Sequence, residues 1–372
     1  MAVKKIILAQ LYSNGDCLYA TTVARQIKND FPGCHLTWAI ASFCKSIILN
    51  NPFVDETLIV DSVAKNDVAA FRRFKKEIYS QQKEGFYDEV FIVHNTDTNH
   101  AYYDGSIRSS ILKAYPHPIT VPVQPVLRLF SHEIEKANKF ALDNGLENYQ
   151  DIVLFEYAPQ SGQSNITTDF AMTVSEGIVS KGKTAVILSS ANKINHPDKA
   201  IIDGSSLTLR ETAALSHHCT FLLGSSSGIT WITTSEAGKQ LPMVQLLNAY
   251  TKWVNPISRD FERFHILNDK VIELLHFDEA KIIECVNVAL RNFEQAKIVF
   301  NEPVPLHFKT TRSIVYNLLC YLEFGAIARH IKVNRQVYGD NLSFYKELAL
   351  GFLLAPFTLI KNLIKKKSRG SQ

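Results

Sequence analysis

The chain has 372 residues, 46% hydrophobic and 20% charged, which excludes a disordered protein and exceeds what one ordinary core can organise. A net charge of +4 is too mild for a nucleic-acid binder, and six cysteines without a CxxC pair or zinc-type Cys/His spacing exclude a disulfide scaffold and the common structural zinc sites. No run reaches the ~20 apolar residues of a membrane span and no signal peptide is visible, so a cytoplasmic chain with free thiols is expected.

In chain order, residues 6–11 read as a buried strand. The pattern breaks at Ser13-Asn14-Gly15-Asp16 and passes directly into a helix over 19–30, ended by Phe31-Pro32-Gly33. Strands follow at 35–41, 56–60 and 87–94, with a short helix at 43–49 and a charged amphipathic helix at 68–83. Four prolines between 116 and 125 interrupt the alternation, and a helix covers 131–144, with Gly145 suited to cap it. A second alternating series has strands at 152–157, 184–189, 220–223 and 243–247, with helices at 168–181, 208–217 and 229–237. Helices are also expected at 278–297 and 311–333. The predicted fold class is α/β, with two Rossmann-like domains facing across a cleft and C-terminal helices. The predicted units are an acceptor-binding domain (1–147), a nucleotide-sugar-binding domain (148–300) and a helical extension with an amphipathic basic tail (301–372).

Open α/β sheets bind ligands at the carboxyl ends of their strands, so the strand-to-helix turns carry the candidate chemistry. In the first, Gly15 permits a tight turn and Asp16 stands at a helix N-terminus, where an ionised carboxylate can act as a base or simply cap the helix. In a second, Gly224-Ser225-Ser226-Ser227-Gly228 leads into Ile229-Thr230-Trp231. Small and hydroxyl residues there suit a diphosphate cradle, or a polar loop with a serine cap; the P-loop pattern is absent. A third turn, with Ser161, Gly162, Gln163 and Ser164, opens the second unit. Ser189 and Lys193 at the next strand end offer further polar contacts, although Lys193 also reads as a solvated surface lysine. His94-Asn95-Thr96-Asp97 is a candidate acceptor contact or a plain loop, and His217-His218 lack metal-ligand spacing. No DxD pair occurs and no metal site is expected.

These residues resemble the heptosyltransferase family, glycosyltransferase family nine, of the GT-B fold. The match lies in Gly15-Asp16-Cys17-Leu18-Tyr19-Ala20-Thr21-Thr22-Val23-Ala24, in Phe31-Pro32-Gly33-Cys34-His35-Leu36-Thr37-Trp38, and in Asn51-Pro52-Phe53-Val54-Asp55-Glu56. It extends to Leu207-Thr208-Leu209-Arg210-Glu211-Thr212-Ala213-Ala214-Leu215 and to the loop from Gly224 to Trp231, and covers residues 4–60 and 150–247. The resemblance implies an inverting, metal-independent glycosyltransferase without a cofactor. Asp16 would deprotonate an acceptor hydroxyl, and Ser226-Ser227-Gly228 would hold the diphosphate of a nucleotide-sugar donor, with Asn14 and Gly15 beside it. The acceptor would be a lipopolysaccharide-type, lipid-linked or other surface glycan. The family's Asp-Thr-Gly is Ser226-Ser227-Gly228 here, its following His is Trp231, and Gln163-Ser164 stands near its lysine; Lys193 or Lys199 is a candidate replacement. These departures favour an alternative, a non-catalytic nucleotide-sugar or glycan-binding protein on the same fold. A nucleotide-sugar epimerase is a third reading.

Residues 342–367 form a strongly apolar stretch interrupted by Pro356 and closed by Lys365-Lys366-Lys367. This suits an in-plane helix on the inner face of the cytoplasmic membrane, or a helix packed on the protein body.

Overall fold

The computed structural model describes residues 3–158, 166–180, 183–248, 256–266 and 269–369, apart from the side chains of 355 and 357–369. The first lobe runs β1 (Lys5–Ala9), α1 (Asn14–Asp30), β2 (His35–Ile40), β3 (Glu56–Ile59), α2 (Val68–Lys83), β4 (Glu89–Ile92), α3 (Ile107–Ala114) and α4 (Ser131–Asp143). Its four strands are parallel in the order β3-β2-β1-β4. The apolar residues of β1 are fully buried, with Leu8 opposite both Trp38 of β2 and Phe91 of β4. Strands covered on both faces need this near-continuous apolar run.

The second lobe runs β5 (Asp151–Glu156), α5 (Thr168–Val179), β6 (Thr184–Ser189), β7 (Ile201–Asp203), α6 (Leu209–Leu215), β8 (Phe221–Gly224), α7 (Gly228–Ile232), β9 (Met243–Leu246), α8 (Ile257–Arg263), β10 (Val271–Leu274), α9 (Glu279–Arg291) and α10 (Phe293–Phe300). Its six parallel strands are ordered β10-β9-β8-β5-β6-β7. Strand order reverses beside β1 in one lobe and beside β5 in the other. The crevices at the carboxyl ends of these strands, residues 10–16 and 156–158, are where such sheets take ligands.

Several elements differ from the sequence expectation. Helix α1 starts five residues early, at Asn14. The expected helix over 278–297 is split by Asn292, whose side chain accepts from Gln295 N–H and caps α10. The expected helix over 311–333 is split into α11 (Lys309–Cys320) and α12 (Phe324–Tyr338) by Leu322, at φ 58°. Helices α11 and α12 pack on the first lobe, where buried Asn334 donates to Tyr103 O at 3.1 Å and Tyr338 Oη donates to Asp104 O at 2.6 Å.

The tail forms α13 (Leu342–Arg369), which continues through Pro356. Its first half is packed on the body. Phe344 is buried against Phe308 and His330, Glu347 pairs with Arg312, and a methyl at Gly351 would lie 2.9 Å from Val315 Cβ. This half therefore follows the alternative of a helix packed on the protein body. Beyond the exposed Leu342 at its start, the helix shows a run of exposed apolar residues at Phe352-Leu353-Leu354. Among the described residues no helix is long and apolar enough to cross a membrane.

The largest core is continuous across the two lobes, joining Ile6, Leu8 and Trp38 to Trp231, Leu154 and Leu222. Buried charge pairs lock the same seam. Arg210 of α6, 3% exposed, donates to both Glu133 oxygens at 2.6 and 2.8 Å and to the carbonyls of Ser46, Leu49 and Arg128. Removing one partner of a buried ion pair strands the other charge in a poor solvent. Arg210→Met should cost about 3–5 kcal/mol in urea unfolding; a loss below about 1 kcal/mol, typical of exposed pairs, would show that the bridge is not a structural clamp.

Candidate functional site

The first-lobe crevice is formed where β1 turns into α1. Ser13 takes a left-handed φ of 69°, and its side chain caps nothing. Asp16 follows in the first helical turn and is half-buried. Among the described residues its carboxylate makes no hydrogen bond or ion pair, so the capping role does not describe it. Burial pushes its carboxyl up to about 7, against a weaker downward pull from Lys65. A carboxyl with that pKa is matched to proton transfer near neutral pH.

Around this turn lie buried polar atoms without hydrogen-bond partners among the described residues: Gln10 Oε1, the Tyr12 hydroxyl and Asn14 Oδ1. Orphaned polar atoms are costly when no ligand or water meets them. Gln10 Nε2 donates to Tyr12 O at 2.9 Å and lies 3.1 Å from His94 Nδ1. Burial lowers the His94 pKa to about 3, keeping the imidazole neutral and able to accept that hydrogen bond. Of the predicted segment 94–97, His94 thus faces the crevice. Asp97 does not, because Arg72 holds it.

The second lobe meets this turn directly. A methyl at Gly15 would lie 3.7 Å from Trp231 Cδ1, and the Tyr19 and Trp231 rings meet edge to face at 5.1 Å. Helix α7 therefore abuts the Asp16 turn, and the two loops singled out in the sequence do face each other. Beneath them Arg108, 1% exposed, lies 3.0 Å from Asp260 of α8 and beside the rings of Tyr19, Trp231 and Phe264.

The serine loop holds an anion, but it is the protein's own. The Glu156 carboxylate, 2% exposed at the end of β5, accepts from Ile229 N at 3.0 Å, Thr230 N at 3.3 Å, Thr230 Oγ1 at 2.9 Å and Ser225 N at 3.4 Å, and also from Ser227 Oγ. Ser226, at φ 53°, donates its N–H to Gln245 Oε1 at 2.8 Å. Gly224 is needed because a methyl there would strike Thr230 Oγ1 at 2.5 Å. Ser225, Ser227 and the N–H groups that open α7, read from the sequence as contacts for a donor diphosphate, are thus engaged by one internal carboxylate. Ser226 and Gly228 remain half-buried on the rim.

Ser189 pairs in register with Glu156 and is buried. Lys193 and Lys199 are exposed, as solvated surface lysines are. Ser161, Gly162, Gln163 and Ser164 lie outside the described residues. His217 and His218 each have a neutral partner, Ala237 O and Asn138 Oδ1. Sequence reasoning missed Glu156. The one available signal was a charged residue closing an otherwise apolar buried strand.

No protein-family model matches the sequence, and no curated protein sequence matches it. Among solved structures, E. coli ADP-heptose LPS heptosyltransferase II aligns with a TM-score of 0.52 at 14% identity, over 78% of this chain and 99% of that one. This chain has the heptosyltransferase-like GT-B fold. The glycosyltransferase family 9 structure from Veillonella parvula aligns at 14% identity and TM-score 0.48, over 81% of this chain and 95% of that one. A putative UDP-N-acetylglucosamine 2-epimerase from Listeria monocytogenes aligns at 11% identity and TM-score 0.46, over 87% and 98%.

Emptying the internal anion seat gives a direct test. Glu156→Ala should destabilise the chain by at least about 2 kcal/mol, and millimolar sulfate should restore part of its melting temperature while leaving the parent chain unmoved. Equal sulfate responses would show that the seat is not formed around that carboxylate.

Proposed function

We propose that this chain is an inverting, metal-independent glycosyltransferase that uses a nucleotide-diphosphate sugar. The observation that carries this reading is Asp16: a carboxylate without a partner among the described residues, half-buried at the lobe junction, with its pKa raised to about 7. In the proposed reaction an acceptor hydroxyl gives its proton to Asp16 as its oxygen attacks the anomeric carbon. The bond from that carbon to the diphosphate breaks, the diphosphate leaves with the electron pair, and the configuration inverts. Gln10, Tyr12 and Asn14 supply unused polar atoms on the acceptor side. The donor diphosphate lies along the rim at Ser226 and Gly228, whose loop shape Glu156 sets. The acceptor is a lipid-linked or other surface glycan, and the apolar segment at Phe352-Leu353-Leu354 with the lysines beyond it brings the chain to the cytoplasmic membrane.

A second reading, a nucleotide-sugar or glycan-binding protein without transfer activity, is favoured by Glu156. A carboxylate inside the donor loop repels a diphosphate and occupies the N–H groups that would neutralise it.

Asp16→Asn separates the two readings. A thermal-shift screen with ADP-, UDP-, GDP- and CMP-sugars identifies the donor by the stability it confers. Transfer from that donor should fall ~100-fold or more in the variant while donor affinity holds; unchanged turnover removes Asp16 from the mechanism. The same variant tests the electrostatics. A carboxyl whose folded pKa is raised loses stability as pH climbs from its unfolded value, ~4, towards 7. Asp16→Asn should therefore stabilise the chain more at pH 8 than at pH 5, and a pH-independent effect would contradict the raised pKa.

A further inference from the structure

The turn between α11 and α12 presents a surface that neither lobe's crevice uses. Tyr321, Leu322 and Phe324 are 44%, 73% and 60% exposed within four residues. Leu322 holds a left-handed φ of 58°, a conformation that suits Asn or Gly and strains a leucine. A strained position filled by a large, solvent-facing apolar residue gains nothing for folding, and such residues mark contact surfaces.

The turn is held firmly. Arg72 of α2 pairs with Glu323 at 3.1 Å, stacks over the Tyr321 ring at 3.8 Å and also binds Asp97. From that clamp an open groove runs along α2, lined by Lys75, Lys76, Tyr79 and Lys83. The two carboxylates beside it, Asp97 and Glu323, are both engaged by Arg72. Among the described residues Lys75 donates only to the neutral Thr98 hydroxyl, and Lys76 and Lys83 have no ion pair. The surface therefore combines an apolar tip with a flank of unneutralised cations and an amphipathic tyrosine.

We propose that this corner docks on an anionic lipid bilayer, with Leu322 and Phe324 entering the headgroup boundary and Lys75, Lys76 and Lys83 meeting lipid phosphates. Charge complementarity selects this occupant, because an apolar tip beside free lysines matches the acyl boundary beneath negative headgroups. The inference extends the membrane docking proposed above for the tail and does not depend on transfer chemistry. It adds a second anchoring point on the first lobe, beside the acceptor crevice's own sheet.

The test is co-sedimentation of the full chain with vesicles of phosphatidylglycerol and phosphatidylcholine mixed about 1:2, and with phosphatidylcholine alone. Two variants leave the tail intact: Leu322→Asn with Phe324→Ser, and Lys75→Gln with Lys76→Gln and Lys83→Gln. Each should weaken binding to the anionic vesicles by about tenfold or more. The Leu322→Asn change should leave the melting temperature equal or higher, because it relieves the backbone, which separates lost contact from lost folding. Anionic vesicles binding both variants as they bind the parent would overturn the corner while sparing the tail. No binding by the parent chain would overturn both, and a concentration-dependent dimer in the same samples would then assign the corner to a second copy.

Discussion

The structure depends on charge buried at the seam between two lobes. Arg210 with Glu133, Arg263 with Asp104, Arg25 with Glu236 and Arg108 with Asp260 all cross between segments far apart in sequence. Geometry and extra hydrogen bonds offset the desolvation of such a pair; among the described residues the Arg108 guanidinium lacks those bonds and lies instead against the rings of Tyr19, Trp231 and Phe264. Arg263 makes them, binding both oxygens of fully buried Asp104 at 2.7 and 2.6 Å. The consequence is registry: the Asp16 turn and α7 are pressed together, and Trp231 reaches Gly15. Burial at that junction withdraws water from Asp16 without supplying it a partner among the described residues. The raised pKa and the candidate chemistry are thus products of the same packing that joins the lobes.

The second lobe meets its own electrostatic demand differently. A short helix beginning after a strand leaves N–H groups unpaired, and here Glu156 satisfies them from the neighbouring strand end. The loop shape that suggests phosphate binding is therefore stable without phosphate. Fold likeness to heptosyltransferases and occupation of the anion seat are compatible facts, since a GT-B scaffold can keep its loop while changing what fills it. A donor taken up by this chain would have to lie outside Glu156 or displace it.

Much of this was legible in the sequence, for identifiable reasons. The turn at 13–16 was plain because a continuous apolar run ended at Asn-Gly-Asp. The parallel sheets followed from alternation, and the facing of the two loops from the rule that ligands sit at the carboxyl ends of strands, in the cleft between two such units. Other features were set by tertiary contacts. Strand β7 has three residues and β10 carries a buried glutamate, so neither shows a clear strand pattern. Helix α3 is a short serine-rich segment whose Arg108 reads as a surface residue until α8 covers it. The break at Leu322 is carried by a leucine at positive φ, and the nearest glycine, Gly325, lies already inside α12. Glu156 was invisible as a ligand because its partners lie some seventy positions away in the chain.

The proposed chemistry depends on the environment of one carboxyl group. The most direct measurement is an NMR titration of the Asp16 side-chain carboxyl in the intact chain, assigned by comparison with Asp16→Asn. A midpoint near 7 is expected from its burial. A midpoint in the ordinary aspartate range, ~4, would mean that the group is solvated, and the seam would then have no base to offer.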